Sequence, residues 1–313
     1  MPDKDYLKGI GFALIALFLI SFQPIVAIAR PKVLDVYLFA AMTCIFIALF
    51  MLPLVLLERR KLNLQIRGNI SKSEENTLLL NGWKSHKKML LYLGINFAIA
   101  QILFVAAYEL AGGAVNGSLA QQTSIIFALV FGFFINHERV KKTQIIFSFV
   151  LLFGLTFAIT QGSFNLLEFN IGVGLMIITT AIWMIAHSLT RPILDRDEIT
   201  ATQLVFIRNI ISGAILFSTY FIFFPLSNIY LLFDPINMFF FVAIGFFYAF
   251  DVLYWYRAIQ KIDVSKATII VSPMPILVAF LAYLILGEIF TIYHLIGTLI
   301  VIGSIIIIVR KKE

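Results

Sequence analysis

Charge is scarce in this chain, and that scarcity decides its class. Asp, Glu, Lys and Arg make up 13% of the 313 residues and hydrophobic residues 61%, with a mean hydropathy of +0.97. Ordinary globular domains are about 25% charged. A water-soluble core does not bury so much apolar surface, so the composition excludes an ordinary soluble domain and makes lipid the main solvent.

Cysteine and catalytic motifs are scarce as well. Cys44 is the single cysteine and lies in an apolar stretch, which excludes an intramolecular disulfide framework. The chain has no G-x-x-x-x-G-K-[ST] phosphate loop, and His137-Glu138 is followed by Lys141 where a zinc-binding H-E-x-x-H helix needs histidine. These absences predict that the protein is not an enzyme, uses no metal or other cofactor and is not driven directly by ATP.

Apolar stretches of membrane-crossing length recur along the chain. A helix of about 20 residues crosses a hydrocarbon layer of about 30 Å. We therefore predict an all-α integral membrane protein with ten transmembrane helices, and we expect the first to be retained rather than cleaved as a signal peptide. The predicted spans cover residues 9–29, 34–57, 88–108, 114–135, 143–160, 171–190, 202–224, 236–256, 266–286 and 292–309.

The net charge of +7 is concentrated in alternate loops. With the N-terminus inside, the inner segments collect nearly all Lys and Arg, and the outer loops hold only Arg30 and Lys32. This positive-inside pattern predicts an even number of spans with both termini in the cytoplasm. We expect a multi-pass protein of the plasma membrane, whose partner is the lipid bilayer and not nucleic acid; whether it forms a homodimer is open.

The two halves of the chain share spaced motifs. Ala29-Arg30-Pro31 closes the first span much as Thr190-Arg191-Pro192 closes the sixth, and Glu138 after the fourth span corresponds to Glu288 after the ninth. Each half holds five predicted spans, so the second half enters the membrane in the opposite sense. Secondary transporters often use such repeats for alternating access. We predict two inverted five-helix repeats, residues 1–162 and 163–313.

Asp251 is the most informative polar residue of the predicted spans, because a charge inside the membrane is costly. Tyr248 and Trp255 share its helical face. Two roles for Asp251 are open: it binds a substrate ammonium group or exchanges a proton, or it forms a structural ion pair with Arg208. Arg208 itself is expected to reach the inner interface or to pack.

Other polar residues recur at the repeat offset of 150 positions, which relates Gln101 to Asp251 and Ser118 and Gln122 to Thr268 and Ser272. Each either lines a cavity or bonds a neighbouring helix. The predicted substrate-binding residues are Gln101, Phe104, Ser118, Gln121, Gln122, Trp183, His187, Tyr248, Asp251, Trp255, Thr268 and Ser272.

Prolines and two glutamates complete the set of candidate gating or structural residues. Pro24 in the first span and Pro273 and Pro275 in the ninth remove backbone donors at membrane depth, and the resulting kinks are either gates or static features. Glu138 and Glu288 are predicted to be structural. Each precedes a span, where a carboxylate favours the positive end of the helix dipole.

The sequence has Trp183 in the span ending Leu189-Thr190-Arg191, Tyr256-Arg257-Ala258, and Ser272-Pro273-Met274-Pro275 followed by Gly287-Glu288. Together with the paired five-helix halves, these motifs resemble the EamA-type family of the drug/metabolite transporter superfamily over essentially the whole chain. The resemblance implies a central cavity surrounded by spans one, three, four, six, eight and nine, with five and ten at the periphery. Thr123 stands where the offset from Pro273 would place proline, and Asn136-His137 precedes Glu138 without glycine.

Residues and resemblance together predict a secondary transporter, specifically an exporter of small organic metabolites such as amino acids or amines, with a proton as an optional coupling ion. The alternatives are a sugar-phosphate or nucleotide-sugar exchanger of the same superfamily and a non-transport membrane scaffold or scramblase. A phosphorylated substrate is disfavoured because the deep polar positions are neutral or acidic, whereas phosphate is recognised by cations.

Overall fold

The computed structural model describes residues 4–68, 73–111, 113–164, 171–287 and 291–310, and within these ranges the regular elements are helices. A 3-10 helix covers Leu226–Leu232. The α-helices of the first half are α1 (Lys4–Ile20), α2 (Gln23–Ala29), α3 (Val36–Gly68), α4 (Ser73–Ser85), α5 (Lys87–Leu110), α6 (Ala114–Gln121), α7 (Ser124–Asn136) and α8 (Lys142–Ile159). Those of the second half are α9 (Ile171–Asp195), α10 (Ala201–Phe223), α11 (Pro235–Ile259), α12 (Val264–Val271), α13 (Met274–Leu286) and α14 (Ile292–Arg310).

Among the described residues, eight helical segments are long and apolar enough to cross a membrane. They coincide with predicted spans one to four and six to nine. The predicted fifth and tenth spans, α8 and α14, pack against each other and contain shorter apolar helices, Lys142–Gly154 and Leu295–Ser304. The all-helical class is confirmed, whereas the count of ten, the repeat boundaries and the inverted relation of the halves stay predictions.

Three of the predicted spans are broken into two helices each, α1/α2, α6/α7 and α12/α13. Pro273 lies at the third break and cannot donate a backbone hydrogen bond there. Thr123 lies at the second break, where its hydroxyl donates to the carbonyl of Ala120 at 2.8 Å and bonds the hydroxyl of Thr180 at 2.9 Å. A threonine that bonds the preceding turn therefore marks the break that proline marks in the other half.

The helix α3 extends beyond the hydrocarbon layer. Its 33 residues span about 50 Å, more than the roughly 30 Å of the layer. The end of α4 lies against the connection between α9 and α10, where His86 Nε2 is 3.0 Å from Glu198 Oε2. The first half thus contacts the second outside the membrane as well as within it.

Gly172 allows the start of α9 to approach the end of α5 closely. A Cβ added there would lie 2.2 Å from the Ala111 nitrogen and 2.4 Å from the Leu110 carbonyl carbon. Because these are backbone atoms, one helix must shift, at a cost of about 1–3 kcal/mol. We expect Gly172→Ala to lower the midpoint of thermal unfolding in detergent.

Gly174, two residues further along α9, supplies the matched control. Its added Cβ would meet no described atom within 4 Å, so Gly174→Ala should leave the midpoint unchanged or slightly raised. Equal midpoints for the two variants would show that the close approach of α9 to α5 does not constrain the fold.

Candidate functional site

A cavity of about 70 Å³ lies between the two halves of the chain. The helices around it belong to predicted spans one, three, four, six, eight and nine, which is the arrangement that the family resemblance implies. Nine of the twelve predicted substrate-binding residues line the cavity: Gln121, Gln122, Trp183, His187, Tyr248, Asp251, Trp255, Thr268 and Ser272. Their role in binding stays a prediction.

The other three predicted residues are buried behind the cavity wall. The Phe104 ring packs against the rings of Trp183 and Tyr248, with centroids 5.4 and 5.5 Å away. Ser118 donates to the carbonyl of Val115 at 2.8 Å, and its own carbonyl accepts from Gln122 Nε2 at 3.2 Å. Gln101 is buried in α5. Phe104 and Ser118 therefore support residues that face the cavity.

Asp251 bonds to a residue that sequence reasoning missed. Gln23 Nε2 donates to Asp251 Oδ2 at 3.0 Å, and both side chains are buried. Gln23 opens α2 just beyond the break in the first span, and Pro24 follows it. The available signal was a polar residue beside a proline inside an apolar run.

Arg208 does not pair with Asp251 in the described part of the chain. Its guanidinium donates to the Tyr256 hydroxyl at 2.6 Å and lies 3.4 Å from the centroid of the Phe97 ring. The side chain is 1% exposed, so the expectation that it reaches the inner interface is wrong, and its structural role stays a prediction. Stacking on two rings explains this placement, because guanidinium groups favour aromatic faces.

Aromatic rings and unpartnered polar atoms of the described residues line the cavity together with the Asp251 carboxylate. The indole nitrogens of Trp183 and Trp255, the Tyr248 hydroxyl and His187 Nδ1 are buried without a hydrogen-bond partner among the described residues. Buried polar atoms usually have partners, so these are available to a bound molecule or to water. Asp251 is the single carboxylate among the lining residues, and none of them is Lys or Arg.

The described residues include no group of three or more His, Cys, Asp or Glu that could hold a metal ion. The lining combines one carboxylate, aromatic faces and neutral hydrogen-bonding groups. This combination suits a cationic or zwitterionic organic molecule.

Glu138 lies away from the cavity and joins the halves of the chain. Its carboxylate accepts from the backbone nitrogen of Val264 at 2.9 Å, from the Ser265 hydroxyl at 2.6 Å and from Arg191 at 2.6 Å. The prediction that it favours the N-terminus of the following span is wrong, since the helix it caps is α12 and not α8. His137, at φ 53°, adopts the left-handed conformation that Gly287 adopts after α13. Glu288 lies outside the described residues.

Arg191 extends this contact to Asp263. It donates to Asp263 Oδ1 at 2.9 Å, and Lys266 lies 2.6 Å from Oδ2. Burial raises the pKa of Asp263, but the bonds from Lys266 and Arg191 outweigh burial and hold the pKa below its ordinary value of 3.8. The four side chains Glu138, Arg191, Asp263 and Lys266, which we name the inter-half cluster, carry alternating charges.

Comparison with known proteins identifies the family of the chain and supports its fold. The model of the EamA-like transporter family matches residues 7–160 and again residues 170–310. A crystal structure of a protein that is 14% identical superposes with a TM-score of 0.68 over 96% of this chain and 96% of that one, which supports the fold alone. No curated protein matches the chain in sequence. With two matches that together cover nearly all of its length, the chain belongs to the EamA-like transporter family and is a multi-pass membrane protein of the drug/metabolite transporter superfamily.

Proposed function

We propose that this protein is a secondary transporter that exports small amines or amino acids across the plasma membrane by alternating access to the central cavity. The observation that carries the proposal is the buried Asp251 carboxylate, which lines the central cavity and has a neutral amide, Gln23, as its hydrogen-bond partner. A buried carboxylate without a bonded cation attracts a cationic group. A substrate ammonium would supply that charge.

The surroundings of Asp251 favour an organic ammonium group over a bare metal ion. Tyr248 and Trp255 lie on the same helical face as the carboxylate, and Trp183 faces the cavity from α9. Aromatic faces attract ammonium groups through their ring quadrupoles. The unpartnered indole N–H groups of Trp183 and Trp255 are donors that suit the carboxylate of a zwitterion. The volume of about 70 Å³ favours small molecules.

Alternating access has candidate moving parts beside the cavity. The breaks at α1/α2, α6/α7 and α12/α13 leave backbone groups that can exchange partners, and Pro24, Pro273 and Pro275 lie at two of these breaks. We place both termini in the cytoplasm from the loop cations. Asp251 and His187 are the titratable candidates for a coupling proton on the cavity wall.

A sugar-phosphate or nucleotide-sugar exchanger fits the cavity less well. Phosphate recognition needs cations at the ligand, and the lining residues include no Lys or Arg. Arg208, the nearest candidate, is buried against Phe97 and bonded to Tyr256. A scaffold or scramblase role does not account for the buried Asp251 carboxylate or for the cavity's polar atoms that have no partner among the described residues.

Counterflow in proteoliposomes tests the proposal. Vesicles loaded with an unlabelled amine or amino acid should accumulate the labelled compound from outside, saturably and faster than protein-free vesicles. A repeat with an imposed pH gradient should change the flux if a proton is the coupling ion. Exchange of an organic phosphate, with amines and amino acids inert across a broad panel, would replace this function with the exchanger.

A further inference from the structure

A second concave surface, on the outside of the bundle, shares no lining residue with the central cavity. A groove of about 390 Å³ runs between α3 and α10, and its floor is formed by small residues such as Ala48 and Gly213. Leu49 and Ile210 on its wall are 51% and 47% exposed. Nearly all of the lining is apolar, and the volume lies within the 300–1,000 Å³ typical of ligand pockets.

The groove lies in segments that cross the membrane, so its surroundings are lipid. The residues of α3 that line it, positions 45 to 52, belong to the half of the predicted span nearer the end of α3. A molecule in the groove thus lies at the depth of acyl chains from the leaflet at that end. An apolar chain that fills the groove gains van der Waals contacts, which drive association in lipid.

Cations continue from the groove along α3. Leu52, Leu56 and Arg60 follow one another at spacings of four residues, so they share one helical face, and Arg60 lies about 12 Å beyond Leu52 along the axis. Arg60 and Lys61 are exposed. Neither forms an ion pair with a described carboxylate. Glu58, the acidic residue of this stretch, faces α10 instead, where Thr200 donates to it at 3.0 Å.

We propose that the groove binds an anionic phospholipid, with one acyl chain between α3 and α10 and the phosphate headgroup on Arg60 and Lys61. Depth, shape and charge all agree with this occupant. Basic clusters directly beyond a transmembrane helix attract anionic headgroups at the surface of the bilayer. A second copy of this chain would instead have to place a helix against a groove rimmed by unpaired cations.

Native mass spectrometry of the full chain, purified and delipidated in mild detergent, tests the proposal. Titration with phosphatidylglycerol should give one lipid adduct per protein, held about tenfold tighter than phosphatidylcholine. Arg60→Gln/Lys61→Gln should remove this preference. Ala214→Phe, which fills the groove from α10, should remove retention of both lipids.

Matched controls separate a specific site from general effects. Arg139→Gln/Lys142→Gln removes two exposed cations, one between α7 and α8 and one at the start of α8, and Leu299→Phe adds a ring at an exposed position of α14. Both controls should bind phosphatidylglycerol like the unmodified protein. Equal affinity for the two lipids, equal losses in the test and control variants, or protein dimers that carry no lipid would overturn the proposal.

Discussion

Asp251→Asn is expected to abolish saturable counterflow of amines and amino acids while leaving the protein folded. Asparagine keeps the shape of the side chain and an oxygen that can accept from Gln23 Nε2, so the existing bond of 3.0 Å has a replacement. What the substitution removes is the negative charge. The substrate ammonium then enters a buried site without a counter-charge.

The expected loss is large, because truncating one partner of a buried charge pair costs about 2–5 kcal/mol. Each 1.4 kcal/mol is a factor of ten, so flux below saturation should fall at least about thirtyfold. Binding is followed separately by tryptophan fluorescence, since Trp183 and Trp255 line the cavity and Trp83 lies in α4.

Glu109→Gln is the matched control for loss of a carboxylate. Glu109 is 53% exposed at the end of α5 and pairs with Arg30, far from Asp251 in sequence and outside the cavity lining. Its flux should match that of the unmodified protein. If Asp251→Asn and Glu109→Gln carry the same flux with the same apparent affinity, the substrate does not bind through Asp251.

The sequence predicts the fold wherever the length of an apolar run and the charges of the flanking loops determine a span. All eight long spans follow from runs of apolar residues between charged loops, because lipid requires backbone groups to be satisfied within one helix. The helix break at Thr123 could not be predicted from the sequence in this way. Pro273 predicts a helix break from its own residue type. Thr123 instead bonds to Thr180, which is 57 residues away, and no local sequence pattern indicates that bond.

In the candidate site, too, contacts within one helix could be predicted from the sequence and contacts between helices could not. Asp251, Trp255 and Tyr248 share one face of α11, and helical periodicity alone places them together. Partners that come from other helices could not be predicted, because they depend on how each helix is rotated in the bundle. Asp251 bonds Gln23, 228 residues away, and Arg208 selects Tyr256 rather than Asp251.

Glu138→Gln is expected to destabilise the protein strongly, although Glu138 lies outside the cavity. The carboxylate is 6% exposed and accepts from Arg191, from the Ser265 hydroxyl and from the free backbone N–H groups at the start of α12. Glutamine presents an NH2 group to some of these donors and leaves Arg191 without part of its counter-charge. Breaking such a buried pair costs about 3–5 kcal/mol.

The measurement is the midpoint of thermal unfolding in detergent, with Glu109→Gln as the control, since Glu109 is 53% exposed and Arg30 keeps its bonds to the carbonyls of Ala27 and Leu34. The thermal unfolding scans should be run between pH 5 and pH 8. The lowered pKa of Asp263 means that its pairs stabilise the protein above 3.8 and are lost only as the pH falls further, through the folded-state pKa. A difference between the variants in this window therefore reports Glu138 and not Asp263.

Glu138→Asp separates the effect of the negative charge on stability from the effect of side-chain length. Aspartate restores the charge on a shorter side chain, so it should recover part of the stability that Glu138→Gln loses. Because the cluster links α7, α9 and α12, which all contribute residues to the cavity lining, loosening it should also change how readily the cavity opens, and counterflow by Glu138→Asp should differ from that of the unmodified protein. Midpoints for Glu138→Gln and Glu109→Gln that agree within a degree would mean that the inter-half cluster does not hold the halves together.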